Sequence, residues 1–122
     1  MANTITASMS ASCVNGTFTD YLNPTGLSVT QNAVGKFDET VSATTSNTSV
    51  TISVTTNGYA FLSNLDATNY VQWGVVVSAT FYPVGRLKPG EWAWLRIDSG
   101  ITNFYLKANT ATCIVRVLVY ND

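Results

Sequence analysis

Residues 4 to 14 read Thr-Ile-Thr-Ala-Ser-Met-Ser-Ala-Ser-Cys-Val, which puts Ile5, Ala7, Met9, Ala11 and Cys13 on one side of an extended chain and hydroxyls on the other. A two-residue period belongs to a half-buried strand, not a helix. The same period returns in Val50-Thr51-Ile52-Ser53-Val54-Thr55, and no stretch of the chain carries a helical stripe. Asn15-Gly16 predicts a hairpin with residues 17 to 22 returning, because both residues tolerate positive φ. Asn23-Pro24-Thr25-Gly26 turns the chain again, and Leu27 to Thr30 is a short strand. Gln31 to Phe37 is irregular, and Val41 to Ser49 is either an exposed edge strand or a loop. Asn57-Gly58 closes the strand over 50 to 55. Tyr59 to Leu62 follows, and Tyr70 to Val77 is β-branched enough for a central strand. Phe81 to Val84 is weaker because Pro83 has no N–H to give a ladder. Lys88-Pro89-Gly90-Glu91 has the signature of a type II turn and feeds a strand over Trp92 to Ile97. Phe104 to Ala108 and Cys113 to Tyr120 complete the set. Many short strands with turns between them predict an all-β chain, an antiparallel β-sandwich or a jelly-roll-like small barrel, forming a single domain over 1–122.

Composition narrows the chemistry. The 122 residues include six Lys plus Arg, seven Asp plus Glu and no His, for a net charge of -1. Neutral hydroxyls and amides replace the missing charges, with 18 Thr, 11 Ser and 11 Asn. Without a cationic field, neither nucleic acid nor a membrane surface is an expected partner. The absence of His removes Ser-His-Asp and Cys-His nucleophiles and every His-ligated metal site. No cofactor is expected. The first cation is Lys36, so the N-terminus lacks the basic start of a secretory signal and predicts a protein made in the cytoplasm.

Four groups of residues are candidates for function. Cys13 and Cys113 are read as small buried apolar residues rather than as a disulfide. The carboxylates Asp20, Asp38, Glu39, Asp66, Glu91, Asp98 and Asp122 offer many pairs and no distinctive spacing, so the chain is not expected to be an enzyme. Trp92 and Trp94 are two apart and share one face of a strand. With Trp73 they form either a core or interface cluster or a platform for stacking sugars. Five of the six cations, Arg86, Lys88, Arg96, Lys107 and Arg116, fall in the last 37 residues, a mildly basic part whose Arg86 and Lys88 are candidates for contact with a partner.

The run Gly58-Tyr59-Ala60-Phe61-Leu62-Ser63-Asn64-Leu65-Asp66-Ala67-Thr68-Asn69-Tyr70-Val71-Gln72-Trp73-Gly74 resembles a segment of small virion proteins of tailed bacteriophages. Phe81-Tyr82-Pro83, the Leu87 to Glu91 turn, Leu95-Arg96-Ile97, Tyr105-Leu106-Lys107-Ala108 and Val117-Leu118-Val119-Tyr120 follow in the same order, so the resemblance covers the C-terminal half alone. It implies a structural role in a virion, as a capsid decoration or cement protein, or at the neck, tail or fibre. The partners it implies are the major capsid protein or other virion proteins, in a homo-oligomer such as a trimer. Within the resembling run, Asn64 to Asn69 is expected to be a loop whose side chains satisfy their own backbone, with Leu65 as its plug. Residues 38 to 49 are expected to act as an arm that orders on contact. A carbohydrate-binding adhesion module built on Trp73, Trp92 and Trp94 is the alternative of a different kind.

Overall fold

The computed structural model describes residues 3–101 and 103–122, of which 59% lie in strands and none in a helix. The chain divides into two compact units at Asn32/Ala33.

The first unit is a long, interrupted hairpin. Strand β1 (Thr4–Ala7) pairs antiparallel with β4 (Leu27–Thr30), and β2 (Ala11–Asn15) pairs with β3 (Phe18–Leu22). The predicted single strand over 4 to 14 is therefore broken at residues 8 to 10. Asn15 pairs with Phe18, so the two loop residues are Gly16 and Thr17 rather than Asn15 and Gly16. Gly16 takes φ 61 at the first loop position, where a type II′ turn requires glycine. Ile5, Ala7 and Val29 are half-buried, but β2 and β3 are exposed along their whole length. Cys13 is thus an exposed free thiol and not the buried residue expected, because the strand that carries it is exposed on both faces.

The second unit holds β5 (Lys36–Ala43), β6 (Thr48–Ser49), β7 (Asn57–Asn64), β8 (Val71–Val77), β9 (Thr80–Leu87), β10 (Trp92–Arg96), β11 (Phe104–Ala108) and β12 (Cys113–Asn121). They form two four-stranded antiparallel sheets, ordered β10-β7-β12-β5 and β6-β11-β8-β9. Neither closes into a barrel, which overturns the small-barrel alternative: each sheet keeps two edge strands. One core cluster draws on both sheets. Ala60, Leu62, Val115, Val117 and Val119 come from the first sheet, and Val71, Leu87, Phe104, Leu106 and Ala108 from the second. Burying the Val, Leu and Phe side chains among them stabilises the fold by roughly 1.5–3 kcal/mol each before entropy is counted.

Several expected elements take different forms. The alternation over 50 to 55 survives as burial, with Val50, Ile52 and Val54 turned to the core, but it makes no strand. Asn57 and Gly58 open β7 instead of ending a strand. Asn57 is buried there and donates to the Ile101 carbonyl at 2.9 Å. Residues 38 to 43 are not an unpaired arm; they pair with β12 in the edge strand β5. The Pro89-Gly90 turn forms as expected, with Gly90 at φ 77 and the Glu91 N–H bonded to the Lys88 carbonyl at 3.0 Å. Pro83 sits on the edge strand β9, beside a register shift opposite Trp73 and Gly74. Gly74 is obligatory at that irregularity, since a Cβ would lie 2.0 Å from the Tyr82 carbonyl oxygen.

Candidate interaction surface

The sheet β10-β7-β12-β5 turns one face to the core and leaves the other open. Ala60, Leu62 and Asn64 of β7 are buried, so Tyr59, Phe61 and Ser63 point outward. The register sets Trp92 opposite Ser63, Trp94 opposite Phe61 and Arg96 opposite Tyr59, which brings both tryptophans to the outward face. From β12, Arg116 and Leu118 join them opposite Ser63 and Phe61.

The result is a ladder of rings. Tyr59 and Trp94 stack with centroids 5.3 Å apart and planes 6° from parallel, and Trp94 meets the ring of Tyr120 edge-on at 6.2 Å. Phe61 and Trp92 lie 5.8 Å apart. Two cations cover the ladder, Arg96 at 4.4 Å over Tyr59 and Arg116 at 5.9 Å over Phe61. Trp92 remains 60% exposed, whereas Trp94 is half-buried and its indole N–H is enclosed without a hydrogen-bond partner. Stacking, not polar bonding, therefore holds Trp94. Such a face combines aromatic rings with guanidinium groups, and the exposed Trp92 ring is suited to a partner side chain or to the face of a sugar ring.

The three tryptophans do not form one platform. Trp73 lies on β8 of the other sheet, opposite Leu106, with its ring 6.4 Å from Phe104 and packed against the core. It leans over Gly85, where a Cβ would come within 2.4 Å of the ring. An apolar groove of about 240 Å³ opens beside it, lined by Trp73, Val84, Leu95, Ile97, Ile101 and Phe104. Arg86 stacks at 4.0 Å on Tyr70, and Lys88 belongs to the turn, where its N–H bonds the Glu91 carboxylate at 3.0 Å. The five candidate residues thus fall at separate places, and only Trp92 and Trp94 share a surface. Sequence reasoning missed Tyr59, Phe61 and Tyr120 as their companions, although the period-2 positions of 59 and 61 were visible in β7.

Two of the five cations of the basic C-terminal part are paired with carboxylates. Arg116 makes a two-pronged bond to Asp38 at 3.1 and 3.0 Å, and Arg96 bonds Asp122 at 2.6 Å. The Arg116 hydrogen bond holds the Asp38 carboxyl below its usual range against the opposing effect of desolvation. Backbone N–H groups of Asn69 and Thr68 do the same to Asp66.

That carboxylate organises the Asn64 to Asn69 loop. Fully buried Asn64 donates to the Asn69 and Leu87 carbonyls at 2.9 and 3.1 Å and accepts from the Asp66 N–H at 3.0 Å. The loop satisfies its own backbone as expected, but Leu65 is 54% exposed and plugs nothing. Burial pushes the Cys113 thiol up, away from the thiolate form. Among the described residues no three His, Cys, Asp or Glu side chains gather where a metal could bind. No protein-family model, curated protein or solved structure matches this chain.

Proposed function

We propose that the chain is a non-enzymatic structural subunit of a tailed-bacteriophage virion, a decoration or cement protein that sits on the head shell and holds neighbouring capsomers together. One observation carries the assembly part of this reading. No described residue from 3 to 32 is buried, and the unit exposes Met9, Val14, Phe18, Tyr21, Leu22 and Leu27. A two-stranded ribbon without a core is marginal in water, and exposed apolar patches of this kind mark contact sites. The unit has one charged side chain, Asp20, so covering it requires little desolvation of charge. The virion part rests on the resemblance of residues 58 to 74 and the runs after it. In this reading the two four-stranded sheets are the layers of a β-sandwich with jelly-roll-like connections, and the subunit works as a homo-oligomer on the major capsid protein.

The test is the copy number of the protein in purified virions, measured by quantitative peptide mass spectrometry against the major capsid protein. Hundreds of copies are expected. A few dozen or fewer would move the subunit to the neck, tail or fibre, and absence would overturn the virion reading.

The exposed Trp92 ring beside Phe61 supports a second reading, a carbohydrate-binding adhesion module. Glycan binding there would quench tryptophan fluorescence, and Trp92→Ala would abolish the response. A glycan panel without effect at millimolar concentration rejects it.

A further inference from the structure

Of the four edges of the two sheets in the second unit, three carry devices that discourage strand addition. Strand β5 has Lys36, Asp38 and Glu39, β9 has Pro83 and a register shift, and β10 has Arg96. The fourth edge, β6 and the chain that continues from it, has neither charge nor proline from Thr48 to Thr56. The backbone N–H and C=O groups from Thr51 to Thr55 make no hydrogen bond among the described residues. Their side chains nevertheless alternate as a strand's do: Ile52 and Val54 pack on the core while Thr51, Ser53 and Thr55 are exposed. A groove of about 190 Å³ runs beside them, bordered by Ile101 and Phe104 and lined by no charged residue.

We infer that Thr51 to Thr55 is an acceptor edge that takes a strand from the N-terminal unit of a second copy of this chain. The occupant must be extended, uncharged and in need of partners. Residues 3 to 32 fit this description: they form strands, of which β1 and β4 alternate hydroxyl and apolar side chains, Asp20 is their one charged side chain, and no described residue among them is buried. Strand addition would give alternate backbone groups between Thr51 and Thr55 a ladder, and the groove between them and Ile101 would receive side chains of the added strand. Exchanged reciprocally between two copies, the contact is isologous and closes both open edges at once. The inference deepens the assembly reading, on which it rests for its setting, by naming the donor and the acceptor.

Amide hydrogen exchange followed by mass spectrometry on the full chain, at concentrations spanning the range where light scattering shows association, tests it. Association is expected to slow exchange in residues 51 to 55 and in 3 to 30 together, on the order of tenfold or more. Ser53→Pro, which removes an unbonded N–H, and Ser53→Lys, which places a charge on the exposed position, are each expected to prevent both association and protection while leaving the thermal unfolding of the second unit in place. Mixed light and heavy isotope-labelled protein is expected to cross-link between copies through the two segments. Protection of 51 to 55 in a monomer at every concentration would show that the chain's own first unit occupies the edge, and overturns the proposal. Association without protection there overturns it too, while leaving the assembly reading standing. If neither association nor protection occurs, the edge proposal falls, and the virion copy number alone decides the assembly reading.

Discussion

Ser78 and Ala79 link β8 to β9 with φ values of 50 and 66, the left-handed conformation at both loop positions that a type I′ turn demands. Neither residue is suited to it, and each non-glycine left-handed residue costs roughly 1–2 kcal/mol. Ala79→Gly, alone or with Ser78→Asn, is therefore expected to stabilise the protein by about 1 kcal/mol in urea unfolding. This turn was illegible in the sequence because it lacks the Asn-Gly signal, whereas Pro89-Gly90 announced itself by the φ each position needs. The reverse holds at Gly74, where adding a methyl meets backbone 2.0 Å away, and Gly74→Ala is expected to cost several kcal/mol, on the order of 3. Asn64→Ala removes three bonds made by a fully buried amide and should cost about 2–3 kcal/mol. Asp38 has a depressed folded-state pKa, so its contribution is present above its unfolded value of about 3.9 and is lost as pH falls through the folded value. Arg116→Gln is expected to flatten the acid side of a plot of Tm against pH, a comparison that needs only the two melting profiles.

At the level of elements, the alternation that identified strands also set their faces, but it could not tell which faces another layer would cover. Cys113 to Tyr120 was legible as a strand, and its Val115, Val117 and Val119 are fully buried. Trp92 and Trp94 were legible as sharing a face, yet that face looks outward, because the alternate positions of β7 supply the core. Trp73 obeys the same rule on the opposite sheet and therefore cannot join them. The segment from 50 to 55 shows the limit most clearly: its side-chain pattern is local, but a ladder needs a neighbour. Stability should divide the tryptophans accordingly. Trp94→Ala, which removes a ring stacked on Tyr59 and edge-on to Tyr120, is expected to cost about 2–3 kcal/mol. Trp92→Ala, from a 60% exposed position, should cost under about 1 kcal/mol.

Across the whole molecule, the buried core belongs to the second unit, and no described residue of the first is buried. The core of the second unit is supplied by strands distant in sequence, such as β5 and β12, so its slowest amides are expected on β7 and β12 and its folding should be governed by non-local pairing. The first unit is a local hairpin whose amides should exchange near the free-chain rate in dilute protein. The two cysteines divide the same way, with Cys13 exposed on the open ribbon and Cys113 enclosed in the core. A maleimide dye added to the folded chain will therefore attach to one ribbon and leave the two four-stranded sheets unmarked. The molecule comes with a natural single-site handle, from which fluorescence anisotropy can follow the ribbon's capture by whatever covers it.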